Sequence, residues 1–271
     1  MTAAEPAPSR DISRGDRDGV VTLTFTRDQK LNAVTENMVD VIRATVEEVA
    51  DRPDLRVLVL TAAGRYFTAG IDMVSRQPPP GQREDDDAPG SEIRRYHRRL
   101  HRLLDELEAL EKPVVLAAQG PCLGLGLEMA VSCDFRLASE AATFWLPEVP
   151  NLAVIPGSGG VSRLTRVVGP HWSRWLAMAG KPVDADRAMA IGLVHEVYPL
   201  AEFEASVQAF SRYLFGLPGE AMGLAKLAID ASVGADRASA RDFDRVANTA
   251  LLMSAEHRQH AAAFRRSGTR S

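Results

Sequence analysis

A chain of 271 residues that is 45% hydrophobic and 25% charged holds enough apolar material for one large globular core or two small ones. Its formal net charge of −4 gives no global attraction to nucleic acid or an anionic membrane, and no stretch approaches the roughly 20 apolar residues that cross a bilayer. The two cysteines, Cys122 and Cys133, stand in apolar segments and read as reduced core residues rather than a disulfide, which fits a reducing compartment.

Residues 1–17 mix acids and bases, among them Glu5, Arg10, Asp11, Arg14, Asp16 and Arg17, without an apolar run. A disordered polar tail is expected there, neither a secretory signal nor a transit peptide, on a cytoplasmic protein. The β-rich run at 20–25 and the apolar run at 56–61 read as strands. Between them Met38, Val41, Ile42, Val46 and Val49 recur at three- and four-residue spacing, which predicts a helix over 36–51 ended by Pro53. Strand, crossover helix and strand announce an α/β fold with a mostly parallel sheet.

Residues 75–92, with Pro78-Pro79-Pro80-Gly81 and Asp85-Asp86-Asp87, cannot build core and predict a mobile surface loop. A long amphipathic helix follows over 93–110, its apolar stripe Ile93, Tyr96, Leu100, Leu103, Leu104, Leu107 and Leu110. Its other face carries Arg94, Arg95, His97, Arg98, Arg99, His101 and Arg102, and a solvated surface is the expected reading ahead of a polyphosphate attractor. His97 and His101 lie one helical turn apart but lack a third ligand, so exposed histidines are expected in place of a metal site.

A buried strand at 114–118 leads into the turn Gly120-Pro121-Cys122-Leu123-Gly124-Leu125-Gly126-Leu127 and a short helix through Glu128 to Cys133. Short strands are expected at 135–138 and 143–144, a helix over 184–191 stopped at Gly192, and a last strand within 193–198. Three further helices read near 201–215, 218–232 and 236–256. The organisation expected is a tail at 1–17, an α/β core at 18–200 and a helical region at 201–271.

The chemistry gathers at Glu128 and Glu148, twenty residues apart and both in apolar surroundings. Buried carboxylates must be paired, hydrogen-bonded or protonated, and two that converge are driven to unlike protonation states, which suits acid/base work. Gly64-Arg65-Tyr66-Phe67-Thr68-Ala69-Gly70-Ile71-Asp72 directly follows the strand at 56–61, where ligands of an α/β sheet bind. Gly124-Leu125-Gly126 also follows a buried strand and opens a helix, so its free N–H groups can face an anion. Two such amides on one oxygen make an oxyanion hole. A dinucleotide fingerprint is not supported, because Met129 stands where its third glycine belongs, and Pro156 spoils a nucleophile elbow around Ser158.

These strings carry a resemblance. Gly-x-x-Phe-x-Ala-Gly-x-Asp at 64–72, Lys112-Pro113-Val114-Val115 leading to Gly124-Leu125-Gly126-Leu127-Glu128, and Pro147-Glu148 before Ile155-Pro156-Gly157-Ser158-Gly159-Gly160 are similar to the enoyl-CoA hydratase/isomerase (crotonase) superfamily. Leu31-Asn32-Ala33 and Ala190-Ile191-Gly192-Leu193-Val194 are further similar pieces, and the likeness covers roughly residues 18–266. It implies a spiral of repeated β-β-α units with a C-terminal helical region that builds a homotrimer, often paired into a hexamer. It implies an acyl-CoA thioester as substrate, with no metal and no separate cofactor, coenzyme A being part of the substrate. By position the oxyanion amides are those of Ile71 and Leu125, and Glu128 and Glu148 match the two glutamates of the hydratases. Ala33, Ala69, Gly70, Asp72, Gly124, Trp145 and Gly157 are implied around substrate and coenzyme A, with Arg27 or Lys30 as candidate charges.

The activity implied is addition of water to trans-2-enoyl-CoA, with Glu128 as base toward the water and Glu148 delivering a proton to C2. Isomerisation of an enoyl- or dienoyl-CoA and non-catalytic acyl-CoA binding are the alternatives. Dienoyl isomerases place an extra aspartate where this chain has Pro156 or Gly157. Three departures bear on the site: Leu125 in place of glycine, which crowds the thioester or marks a relaxed positive-φ constraint; Trp145 in place of a small residue, expected to narrow the acyl pocket ahead of simply filling core; and one extra residue between Glu148 and Gly157, able to re-aim Glu148.

Overall fold

The computed structural model describes residues 10–74 and 89–268 of the chain. The expected loop at 75–92 lies mostly outside the described residues, as does the expected tail before Arg10. Two compact units divide between Leu214 and Phe215.

Among the described residues of the first unit nine strands run in chain order: β1 (Ile12–Arg17), β2 (Val20–Phe25), β3 (Val57–Ala62), β4 (Val114–Ala118), β5 (Cys122–Leu123), β6 (Phe135–Ser139), β7 (Thr143–Trp145), β8 (Val183–Asp184) and β9 (Glu196–Tyr198). Six of them form a sheet ordered β1-β2-β3-β4-β6-β9, parallel from β2 onward, and β5-β7-β8 form a smaller one. The parallel strands are apolar on both faces, as a sheet covered on both sides must be: all of β4 is buried, and Val57, Leu58 and Leu60 of β3 are fully enclosed.

Strand β1 corrects the expected tail, since residues 12–17 pair with β2 in an antiparallel hairpin. Only Ile12 of β1 is buried, so no apolar alternation announced a strand. The turn did carry a signal: Asp18 and Gly19 sit at φ 51° and 76°, the paired positive values of a two-residue hairpin turn, for which Asp-Gly is a favoured sequence.

Helix α1 (Glu36–Asp51) has the expected bounds, with the Thr35 hydroxyl accepting from Met38 N–H at its start. It packs against β3 and against α2 (Gly90–Ala109), which buries Leu100, Leu103, Leu104 and Leu107. Then come α3 (Leu125–Ala130), α4 (Glu148–Leu152), α5 (Gly160–Ser173) with a following π-turn, α6 (Ala185–Ala190) and α7 (Leu200–Gly216). Neither α4 nor the two-residue strands β5 and β8 were foreseen, being too short to show a period. Both cysteines are free and buried, as read from the sequence.

The second unit holds α8 (Gly219–Gly234), α9 (Arg237–Met253) and α10 (Ala255–Gly268), with α9 touching both neighbours. The helix expected over 236–256 ends earlier because Ser254 turns extended and its hydroxyl accepts from His257 N–H, opening α10. Among the described residues no helix is long and apolar enough to cross a membrane.

One buried side chain fixes the loops above β2 and β3. Asn32, fully enclosed at φ 52°, donates from Nδ2 to the Ala63 carbonyl at 2.8 Å and the Tyr66 carbonyl at 2.7 Å, while Thr68 Oγ1 donates to the Asn32 carbonyl at 2.7 Å. Replacing Asn32 by alanine orphans the Ala63 carbonyl, removes one of the two donors on the Tyr66 carbonyl, where Gln119 Nε2 stays at 2.9 Å, and keeps a β-carbon in left-handed backbone. A loss of about 3 kcal/mol in urea denaturation is expected, against the few tenths typical of an exposed Asn→Ala.

Candidate active site

Two turns meet above the carboxyl ends of β3 and β4. In the first, Val34 N–H donates to the Gly70 carbonyl at 2.8 Å and Asp72 N–H donates to the Val34 carbonyl at 2.9 Å. In such a parallel bridge the residue between points its own amide the other way, so the Ile71 N–H is left without a protein partner among the described residues. In the second, Gly124 takes φ 51° and ψ −121°, backbone that only glycine tolerates, and its N–H donates to the Trp145 carbonyl at 2.9 Å. Leu125 then opens α3, and its amide is one of the helix's unpaired donors. The turns approach closely: a methyl group on Gly70 would stand 3.7 Å from Leu125 N.

Leu125 itself is ordinary helical backbone, the positive φ belonging to Gly124. Its side chain is 2% exposed and borders a small cavity with Val34, Val39, Tyr96 and Leu100. Leucine at this position therefore fills space between α1 and α2. Gly126 allows α3 to lie against the first turn, for a methyl group there would come 2.3 Å from Thr68 Cγ2.

Glu128, one turn into α3, is 3% exposed. Its Oε1 accepts from the N–H groups of Ser158 and Gly160, each at 3.0 Å. Burial raises its pKa above the ordinary carboxylate value and these two amides pull it back down. A methyl group on Gly160 would stand 2.5 Å from Glu128 Cγ, so the turn at 157–160 and the carboxylate fit only without it.

Glu148 opens α4, and its Oε1 lies where a methyl group on Gly124 would approach to 2.9 Å. Ala153 turns left-handed at φ 54° five residues on, and Glu148 faces the glycine turn. Its Oε2 is buried without a protein partner among the described residues. Burial pushes its pKa up to about 7, against an opposing bond from its own amide and with a smaller upward push from the charge of Glu128. The two carboxylates thus feel each other across the turn that holds the Leu125 amide.

Other residues singled out from the sequence hold the frame. Asp72 accepts from Arg27 Nη2 at 3.0 Å and from Val74 N–H at 3.0 Å. Arg27 also donates to the Ala33 carbonyl at 2.6 Å and pairs with Asp11 at 3.3 Å, so its charge is already engaged. Ala69 N–H donates to the Leu31 carbonyl at 2.9 Å. The Trp145 indole donates to the Gly180 carbonyl at 2.7 Å, and it is the Trp145 carbonyl that touches the Gly124 turn. Gly157 carries the ring of His97 on its Cα, where a methyl group would come within 2.6 Å of Cε1.

That last contact corrects the expected exposed histidines. His97 and His101 are half-buried and turned inward onto the 157–159 turn, His101 Nε2 lying 3.0 Å from the Gly157 carbonyl. Burial, then the neighbouring His101, lowers the pKa of His97. The outer arginines of α2 are exposed, Arg99 pairing with Glu36 and Asp40 at 3.4 Å each. The missed signal was the run Gly157-Ser158-Gly159-Gly160: three small gaps in one turn demand neighbours to fill them.

Glu148 gives a stability test with a definite sign. A carboxyl whose folded pKa is about 7 rather than 4.5 stabilises the fold fully below pH 4.5, and that contribution is lost as pH rises through 7. Glu148→Gln, which cannot ionise, is expected to match the wild type near pH 4 and exceed it by roughly 2 kcal/mol at pH 8, after discounting for partial exposure. Urea denaturation across this range measures the crossing.

Comparison with known proteins gives the family and the fold. The family model described as enoyl-CoA hydratase/isomerase matches residues 15–267. The "Enoyl-CoA isomerase/hydratase fer4" of Mycosarcoma maydis is 31% identical over 97% of this chain and 96% of its own. A "Crotonyl-CoA hydratase" of Syntrophomonas wolfei is 32% identical over 80% of each chain. The crystal structure of an enoyl-CoA hydratase from Bacillus anthracis superposes with a TM-score of 0.87 at 26% identity, covering 95% of this chain and 97% of that one. With the matching model spanning nearly its whole length and the fold shared with solved hydratases, this chain belongs to the enoyl-CoA hydratase/isomerase (crotonase) family.

Proposed function

We propose that the chain is an enoyl-CoA hydratase that adds water across the double bond of a trans-2-enoyl-CoA to give 3-hydroxyacyl-CoA, in the breakdown of fatty acyl or related thioesters. The observation that carries this reading is a pair of carboxylates at one glycine turn in unequal surroundings, Glu128 buried and Glu148 half-buried. Glu128, with two amides on one oxygen, is suited to remain a carboxylate and act as base. Glu148, with a pKa of about 7 and a free Oε2, is suited to be the acid.

In this reading both glutamates hold the attacking water. Glu128 takes its proton as the oxygen bonds to C3, and the π electrons move onto the thioester oxygen. The Ile71 and Leu125 amides receive that negative charge. Collapse of the enolate takes a proton from Glu148 at C2, on the same face as the water. The name of the Syntrophomonas wolfei relative supports hydration.

A second reading, migration of a double bond, is favoured by the printed name of the Mycosarcoma maydis relative, and it needs a single carboxylate to shuttle one proton. Hydration of crotonyl-CoA, followed by loss of the enoyl absorbance, separates the two. Glu128→Gln and Glu148→Gln are each expected to lower the rate about 10³-fold. Wild-type hydration by either variant sinks the two-carboxylate mechanism. Isomerisation of a 3-enoyl-CoA that survives in one of them establishes the second reading.

The second unit supports a homotrimer, or a pair of trimers, by its exposed apolar side chains: Val233, Ile229, Val246 and Met253 are 60%, 65%, 67% and 73% exposed. Light scattering is expected to return three or six chains, and a mass of one chain at micromolar concentration refutes this assembly.

A further inference from the structure

The turn at 157–160 is gripped from α2 on its far side. His101 Nε2 lies 3.0 Å from the Gly157 carbonyl, and since a carbonyl only accepts, Nε2 carries the proton and donates. Arg163 Nη1 donates to the Ser158 carbonyl at 3.1 Å while its other nitrogens bind Glu108 at 2.8 Å and Asp105, both on α2.

The Gly157 carbonyl and the Ser158 N–H belong to one planar trans peptide and point in opposite directions. The first accepts from His101 and the second donates to Glu128 Oε1. A single peptide thus links imidazole to carboxylate, and bonds in series polarise one another. The other peptide that reaches Glu128 is different. The Gly159 carbonyl is held by Ser162 Oγ at 3.0 Å and by Arg163 N–H at 3.3 Å, from the first turn of α5 itself. Only the Gly157–Ser158 peptide has its carbonyl taken by a side chain of α2.

We propose that His101 is a positioning residue for the reaction: through the Gly157–Ser158 peptide it orients and polarises the amide that holds Glu128. The role in turnover rests on the hydratase reading, but the effect on Glu128 does not. The glycine at 157 belongs to the same device, because His97 lies on its Cα and any side chain there would lift the peptide off His101. Charged and titratable groups acting on Glu128 are His101 from α2, whose positive charge would lower its pKa, and Glu148 from α4; Arg163 of α5 and His97 of α2 stand behind the turn.

His101→Leu removes the donor, and His101→Gln keeps an N–H donor without the possible charge. Carbon-13 NMR titration of the Glu128 carboxyl, assigned by its loss in Glu128→Gln, is expected to show a raised pKa in His101→Leu and a value nearer wild type in His101→Gln. In crotonyl-CoA hydration His101→Leu is expected to lower kcat about 10- to 100-fold with little change in KM and to move the acid limb of the pH profile upward, with His101→Gln recovering most of the rate. Thermal denaturation checks that both variants fold. An unmoved Glu128 titration in a folded His101→Leu overturns the proposal, as does equal impairment of the Leu and Gln variants. A wild type that hydrates no enoyl thioester defeats the hydratase reading and leaves the NMR test standing.

Discussion

The structure turns on a buried carboxylate held by backbone. Glu128 lies in the interior, and an isolated charge there would cost several kcal/mol. What makes it tolerable is the pair of amides from Ser158 and Gly160, supplied by a turn thirty residues away in the chain. That requirement propagates outward. The turn must present two N–H groups inward, so its carbonyls face α2 and α5, and side chains there must receive them. Placing one acid in the core thus dictates the faces of two helices.

Glycine does the complementary work, by leaving room. Gly124 takes a backbone shape that aims the Leu125 amide beside the Ile71 loop, and Gly160 gives the Glu128 side chain its space. The frame around them is fastened by polar side chains rather than by apolar packing alone. Asn32 ties the loop after β2 to the loop after β3, and Arg27 joins Asp11, Ala33 and Asp72. Such loops carry exposed backbone donors, so their positions must be set by directed bonds. Rigid placement without bulk is what an amide pair facing a developing charge requires.

Unequal hydrogen bonding gives the two carboxyls their asymmetry. Both are desolvated, yet one has amide partners and the other has a bare oxygen, so the first proton to bind has an evident destination. Chemistry that needs a base and an acid within reach of one molecule can then run with two copies of one residue type.

Much of this was legible in the residues. The 3.6-residue period set α1 to its observed bounds, the β-rich runs located β2, β3 and β4, and the glycine strings marked both turns. Those features are local: a period or a forbidden backbone angle is a property of neighbours in the chain. What escaped was decided by partners far apart. Strand β1 exists because β2 offers it a ladder, with one inward side chain of its own. His97 and His101 stand among arginines and read as solvated, yet they face inward because a glycine turn some sixty residues later leaves space that fits an imidazole. Arg27 looked available for a phosphate, and Asp11 and Asp72 had already claimed it. The sequence by itself determined the longer elements, the family and the two candidate acids; the tertiary structure decided which polar side chains are free, because a hydrogen bond is spent by whichever group reaches it in space.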